Sequence, residues 1–190
     1  PVIAVGIVGQ PLMAEVDVAG QLWLPDGSPV RWWVAAEDRW HDPRDIPATR
    51  QRAVDGAPVV ETRVRVPGGD VVARVYAVAN DGGTVVLEWQ NESRSSVAVA
   101  IDAPSVTAIR PLLPANAQAA GIPSGAVGVP VAHGATARVV IGPESSDVDL
   151  RTLPESTAVI AGWDRHVATA GRYGTGDPAL WERVVLERSQ

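Results

Sequence analysis

The stretch that most constrains the fold of this chain runs from residue 59 to residue 102, where polar and apolar residues alternate in four successive segments. Successive side chains of a strand point to opposite faces, so an alternation of this period predicts a half-buried strand. The turns at 67–70 (PGGD) and 80–83 (NDGG) contain glycine, Asn and Asp, which adopt the positive φ that tight hairpins require. The stretch therefore predicts four strands joined by three consecutive hairpins.

Two of these strands indicate where the core should lie. The segment 71–78 has apolar residues on both faces, which predicts that both faces are covered. In the next segment Val85, Leu87 and Trp89 share one face and are expected to be buried.

Strand patterns on either side of this stretch define the fold class. They fall at 2–8, 12–18, 21–24, 30–36, 127–132 and 136–141. A chain of 190 residues is long enough to form one β-sandwich with a sizeable core. We therefore expect an all-β protein, an antiparallel β-sandwich over residues 1–156 with a short C-terminal helical tail over residues 157–190.

The tail is expected to be a linker followed by a helix. Asp177 can cap that helix with Pro178 at its first position, and apolar residues then recur at helical spacing up to residue 185. The apolar face of such a helix needs a partner. Either the helix lies across the sandwich or it starts a further helical domain that this sequence does not contain, and the second interpretation is preferred.

Residues 37–56 are highly charged and contain two prolines, which predicts a long ordered loop of the kind that is often functional. This loop and the end of the preceding strand combine flat aromatic side chains with paired polar groups, as sugar sites do. The candidate residues for carbohydrate or interdomain contact are Trp32, Trp33, Asp38, Arg39, Trp40 and His41. The competing interpretation is that these tryptophans fill core and interface space, because the chain has no Phe to do so.

Composition disfavours several classes of function. The absence of cysteine excludes disulfides and thiolate metal sites, and a cytoplasmic location is expected. The net charge is −6 and the arginines are scattered, so nucleic-acid binding is not expected. No apolar run reaches the ~20 residues of a membrane-spanning helix, so no membrane role is predicted. The three histidines lie far apart, so neither a metal site nor a cofactor is predicted, and no catalytic residue is identified.

Four segments carry a resemblance to a known family. They are LPDGSPVRWWVAAEDRWHDP, GAPVVETRVRVPGGDVVARVYAV, GGTVVLEWQNESRSSVAVAI and AGWDRHVATAGRYGTGDPALWERVV. Their succession resembles the N-terminal β-sandwich of bacterial glucoamylase-like and glycogen-debranching-type glycosidases and their actinobacterial relatives. The resemblance implies a supersandwich similar in shape to galactose mutarotase, followed by a linker and an (α/α)6 helical barrel that holds the catalytic carboxylates. Since that barrel is not in this sequence, no catalytic residue of the family is carried over to it.

Three functional hypotheses follow. The first is a non-catalytic accessory domain of a glycoside hydrolase-like protein acting on α-glucans, packed on a helical (α/α)6 domain or partner chain. The second is a free-standing module that binds carbohydrate or protein through the 37–56 segment. The third is an aldose-epimerase-like sugar enzyme, which would need a histidine and a glutamate poised over the sugar ring.

Overall fold

The computed structural model describes residues 2–10, 13–79, 83–108, 122–141 and 149–169, and the backbone of residues 113–114. Regular structure in these ranges is almost entirely antiparallel β-strand. The strands are β1 (Val2–Val5), β2 (Ala14–Asp17), β3 (Leu22–Trp23), β4 (Pro29–Ala36), β5 (Arg39–His41), β6 (Arg50–Ala53), β7 (Val59–Val66), β8 (Gly69–Val78), β9 (Thr84–Asn91), β10 (Val97–Asp102), β11 (Val106–Ala108), β12 (Leu113–Pro114), β13 (Val127–Val131) and β14 (Thr136–Ile141). One helix, α1 (Ser156–Thr169), follows them.

The strands form two sheets that pack face to face. The eight-stranded sheet has the order β1-β2-β3-β4-β10-β13-β12, with β5 also paired to β4, and the six-stranded sheet has the order β11-β14-β9-β8-β7-β6. Trp32 on β4 and Trp89 on β9 meet between the sheets as a T-shaped pair with ring centroids 6.1 Å apart. Valines from both inner faces surround this pair. The expected all-β antiparallel sandwich is confirmed.

The predicted burial of the central strands is also confirmed. Val85, Leu87 and Trp89 on β9 all lie in the inter-sheet core. On β8, Val75 is buried in that core while Tyr76 is buried on the opposite face of the sheet, so β8 is covered on both sides.

The prediction of three consecutive hairpins is wrong in its last step. β7, β8 and β9 form two hairpins, but the far edge of β9 is occupied by β14. β10 instead crosses to the other sheet, where it pairs with β4 and β13. The segments 132–135 and 92–96 therefore both connect one sheet to the other.

Asn91 ties these two crossings together. Its buried side-chain amide donates to the carbonyl oxygens of Ser95, at 2.8 Å, and Val131, at 3.0 Å. Its backbone carbonyl accepts the N–H of Gly134, at 2.9 Å. Among the described residues, the two crossing segments are not part of a strand. The bonds from Asn91 therefore satisfy backbone groups that would otherwise be buried without hydrogen-bond partners.

The prediction of a long ordered loop over residues 37–56 is wrong in part, because the segment contains two strands. Glu37 and Asp38, both at positive φ, make the two-residue turn of a hairpin between β4 and β5. A short 3-10 turn at Pro43–Asp45 follows, and then β6 pairs with β7. The charges did not prevent strand formation because both strands lie at the margins of their sheets, where one face stays in water.

Helix α1 was not foreseen at its position. Its apolar side chains Val159, Ile160 and Trp163 pack on the outer face of the six-stranded sheet. In the tail over residues 157–190, which is predicted to be a linker followed by a helix, the first segment is therefore itself helical and packs on the sandwich. The helix predicted from Asp177 onward lies outside the described residues.

Candidate functional site

The structure distributes the six predicted site residues over three environments. Trp33 and Trp40 lie on the outer face of the eight-stranded sheet, away from the inter-sheet core. Arg39 and His41 occupy the alternate positions of β5 and so belong to the opposite face. Asp38 is exposed in the β4–β5 turn.

Trp32 has no surface to offer to a ligand. Its side chain is fully buried in the inter-sheet core, and its indole N–H donates to the carbonyl oxygen of Gly20 at 2.7 Å. For this residue the core-filling interpretation is the one that the structure supports.

The outer face of the eight-stranded sheet carries a small apolar cluster around Trp33. Trp33, which is only 4% exposed, packs on Ala100 of the neighbouring strand and is covered by Ile122 and Ala126. The partly buried indole of Trp40 extends this cluster toward the surface. Trp33 and Trp40 therefore belong to one apolar cluster on this face.

A row of residues with small or flat side chains continues from Trp40 across four strands. The inter-strand pairing aligns Trp40 with Ala35, Ala35 with Ala98, and Ala98 with Pro130. None of these four side chains is fully buried, and Pro130 is exposed. We call Trp40, Ala35, Ala98 and Pro130 the Trp40 row.

The carboxylate of Asp42 lies beside the apolar cluster around Trp33 and fixes the orientation of the Trp33 ring. The indole N–H of Trp33 donates to Asp42 Oδ2 at 3.1 Å, and Arg44 donates to Asp42 from its backbone and its guanidinium. Partial burial acts to raise the pKa of Asp42, but the hydrogen bonds and charge of Arg44 outweigh it and hold that pKa below its ordinary value. Asp42 is therefore an anion at neutral pH that orients the Trp33 ring.

The outer face of the six-stranded sheet carries a different polar feature, which sequence analysis missed. The strand pairing aligns five side chains of alternating charge across β6, β7, β8, β9 and β14. In that order they are Arg52, Glu61, Arg74, Glu88 and Arg138. We call these residues the charged row. It could not be found from sequence because the alignment depends on the register of five strands.

The two carboxylates of the charged row are buried, and both accept hydrogen bonds from neighbouring side chains. Glu61 accepts from Arg52 Nε at 3.1 Å and from Arg74 Nε at 3.0 Å. Glu88 accepts the hydroxyl of Ser156, the first residue of α1, at 2.6 Å, and lies within 3.4 Å of an Arg74 nitrogen. Buried charges of this kind are stable only with such partners.

Tyr76 joins the charged row to the segment before α1. Its hydroxyl donates to the Pro154 carbonyl oxygen at 3.1 Å. Burial and the neighbouring Glu88 carboxylate raise the pKa of Tyr76, while Arg138 acts in the opposite direction. Arg138 itself donates to the Leu153 carbonyl oxygen at 3.1 Å, so the chain entering α1 is held at two points.

The charged row forms ion pairs and hydrogen bonds among its own members and to the segment that leads into α1. The hydrogen-bond partners that the described residues supply to Glu61 and Glu88 are arginines, Tyr76 and Ser156, and none is a histidine. The histidine and glutamate pair that an epimerase would need is thus not assembled around these carboxylates. Across the ranges given above, no three His, Asp or Glu side chains are grouped as a metal ion would require. No helix in those same ranges is long and apolar enough to cross a membrane.

The fold and these two surfaces define an all-β sandwich protein with a helix on one outer face. Comparison with protein-family models, with curated proteins and with solved structures gave no match in any of the three cases.

Proposed function

We propose that this chain is a non-catalytic β-sandwich domain that works by contact, packing on the helical catalytic domain of a glycoside hydrolase-like protein that acts on α-glucans. The observation that supports the contact role is the Trp40 row. The α-glucan and glycosidase parts of the proposal rest on the sequence resemblance alone.

The Trp40 row has the chemistry of an interdomain surface. Alanine and proline side chains protrude little from the sheet, so a partner helix can approach the backbone closely. The partly exposed tryptophan at one end of the row supplies a large apolar contact. Trp40 packs against the cluster of Trp33, whose indole N–H donates to Asp42. A preformed anchor loses little side-chain freedom on contact, which favours binding.

The non-catalytic part of the proposal is supported by the state of the buried carboxylates. General acid–base catalysis needs a titrating group that can reach the substrate. Glu61 and Glu88 are buried and bonded to neighbouring side chains. The burial of Glu88 is accounted for by its bond to Ser156 at the start of α1, and that of Glu61 by its pairing with Arg52 and Arg74.

The test compares this chain with the full-length product of its gene, both labelled with 5-fluorotryptophan. The fluorine resonance of Trp40, assigned with a Trp40→Phe variant, should lose its exposure to solvent when the helical domain is present. The resonance of Trp23, which is 37% exposed at another part of the same sheet, serves as the internal control. A Trp40 resonance that is equally exposed in both proteins would contradict the contact role.

A second candidate function is carbohydrate binding, and the pairing of an indole with ionic neighbours favours it. The Trp40 ring lies next to Trp33, whose N–H is bound by the Asp42–Arg44 pair, so an aromatic platform and polar groups occur together. Isothermal titration with maltooligosaccharides separates the two candidates. Heat that disappears in Trp40→Ala but persists in Trp23→Ala supports a sugar platform, whereas no heat in the unmodified chain favours the packing role.

A further inference from the structure

The open edge of the six-stranded sheet forms a surface that the proposed packing role does not use. The sheet ends at β6, whose only strand partner among the described residues is β7. Arg50, Arg52 and Ala53 of β6 are all exposed. A strand edge of this kind presents backbone N–H and carbonyl groups that a further strand can pair with.

The register identifies the backbone groups that point outward. Val54 donates its N–H to the carbonyl oxygen of Val59 at 2.9 Å. In an antiparallel edge strand only every second residue bonds to the neighbouring strand, and the backbone groups of the residues between them point the other way. Gln51 and Ala53 are therefore the residues whose backbone groups face away from β7. These two residues would bond to an added strand.

The edge is held extended before any partner arrives. The side-chain amide of Gln51 donates to the Asp17 carbonyl oxygen of the other sheet and, at 3.3 Å, to Thr62 Oγ1 on β7. An edge that is already ordered does not have to lose conformational freedom when it binds.

The side chains next to this edge are arginines. Arg50 and Arg63 stand directly opposite each other on β6 and β7, and Arg52 and Arg65 lie close by on the same outer face. The side chains of Arg52 and Arg65 are 61% and 64% exposed. We call Arg50, Arg52, Arg63 and Arg65, together with the outward backbone of β6, the β6 edge surface.

Charge balance at the β6 edge surface favours an acidic partner. The carboxylates that contact these arginines are fewer than the guanidiniums: Asp70 contacts both Arg63 and Arg65, Glu92 contacts Arg63, and Glu61 is shared between Arg52 and Arg74. Like charges directly opposite on neighbouring strands are destabilising, so an added anion beside Arg50, which faces Arg63, is favourable. The whole chain carries a net charge of −6, which makes this basic surface a local exception that can steer an acidic segment.

We propose that the β6 edge surface binds an extended acidic peptide segment of a partner protein, which pairs with β6 as an added strand. Arg50 and Arg52 are two residues apart on one face of β6, so acidic side chains at alternate positions of the partner meet both guanidiniums. Bases of single-stranded nucleic acid bind by stacking on aromatic rings, and none of the four side chains of this surface is aromatic. A peptide is therefore the partner that this surface suits.

Fluorescence anisotropy with the unmodified chain tests the proposal. The probe is a labelled peptide of alternating Thr and Glu, and the control peptide has the same composition with all Glu residues contiguous. We expect the alternating peptide to bind more tightly. Arg50→Glu/Arg52→Glu should weaken its binding by about tenfold or more, whereas the exposed Arg151→Glu should not.

Two further measurements separate strand pairing from charge attraction alone. A proline is tolerated where an edge N–H faces solvent, so Ala53→Pro should keep the fold while removing one outward donor. The alternating peptide with N-methylated backbone amides tests the same bond without altering the protein. Loss of binding in either experiment supports strand pairing, and full retention in both overturns it.

The class of partner is tested with the same assay. Single-stranded DNA or heparin that binds as tightly as the peptide and loses affinity equally in Arg50→Glu/Arg52→Glu would show a general polyanion surface and overturn the peptide proposal. These outcomes do not depend on Trp40, so the packing role and this inference can fail separately.

Discussion

The buried carboxylate of Glu88 on β9 binds Ser156, the first residue of α1, through both its hydroxyl, at 2.6 Å, and its backbone N–H, at 3.3 Å. A helix begins with backbone N–H groups that have no partner within the helix, and a negative charge near them is favourable. Here the sheet supplies that charge from a residue 68 positions earlier in the sequence. The helix is thereby fixed to the sandwich at its N-terminus as well as along its apolar face.

Glu88→Gln should lower the free energy of unfolding by about 1 to 3 kcal/mol, because it removes a charge that Arg74 and Ser156 both bind. Arg74 keeps Glu61 as a partner, which limits the loss. Urea denaturation measures the change in stability. The rate of amide hydrogen exchange should increase most in α1. Glu92→Gln, which alters a more exposed carboxylate paired with Arg63, is the matched control and should change stability by less than about 0.5 kcal/mol. Equal effects of the two variants would contradict the anchoring role of Glu88.

The strands of this fold could be predicted from sequence because each one carries its own pattern of alternation. The burial of Val85, Leu87 and Trp89 follows from that pattern alone. The pattern does not say which sheet a strand joins, so the crossing from β9 to β10 could not be predicted. That crossing depends on Asn91, whose partners Ser95 and Val131 come from two separate segments.

The surfaces were less predictable than the fold for a related reason. The charges of segment 37–56 predict a loop, but charge disfavours a strand only where both faces are covered, and β5 and β6 both lie where one face meets water. Trp33 and Trp40 are candidates by residue type alone, and their position on a common outer face depends on the pairing of β4 with β5. Whether they contact a sugar or a neighbouring domain remains a prediction.

Trp89→Ala should lower the free energy of unfolding by about 3 to 5 kcal/mol, because the side chain is fully buried and stacks edge-on against Trp32. Trp89→Phe should cost less, since it keeps an aromatic ring and removes a buried indole N–H that has no hydrogen-bond acceptor among the described residues. Chemical denaturation measures both variants. A loss below about 1 kcal/mol for Trp89→Ala would show that the inter-sheet register is different.

Trp40→Ala should leave folding largely intact, with a change below about 1 kcal/mol, because its indole is only partly buried. Trp33→Ala should cost about 3 to 5 kcal/mol, since Trp33 is buried beneath Ile122 and Ala126. Thermal and urea denaturation of the two variants can be compared directly. If both were equally destabilising, Trp40 would be a core residue and the Trp40 row would not be a contact surface.

Stability should fall at alkaline pH through Tyr76. Burial and Glu88 raise its pKa above the ordinary value of 10.0, so the folded protein keeps the phenol proton at a pH where the unfolded chain has lost it. The unfolded state is therefore favoured increasingly as the pH rises above 10.0. The sequence contains no lysine, so no lysine titration obscures this range.

Tyr76→Phe provides the comparison for that pH dependence. The variant should be less stable by about 1 kcal/mol at neutral pH, because the hydrogen bond to the Pro154 carbonyl oxygen is lost. Its stability should then decline less steeply than that of the unmodified protein as the pH rises above the ordinary tyrosine value. Urea denaturation at a series of pH values gives both slopes, and parallel slopes would mean that Tyr76 titrates normally in the fold.

Gly20 and Gly27 form a matched pair that tests how closely the two sheets approach. Both have φ near the left-handed region, at +80° and +83°, so alanine at either position costs about 1 to 2 kcal/mol of backbone strain. A Cβ at Gly27 would meet nothing within 4 Å, whereas a Cβ at Gly20 would lie 2.7 Å from Oγ1 of the buried Thr62 on β7. Gly20→Ala should therefore lose about 1 to 3 kcal/mol more than Gly27→Ala in urea denaturation. Equal losses would mean that the β2–β3 turn and β7 are farther apart than the structure places them.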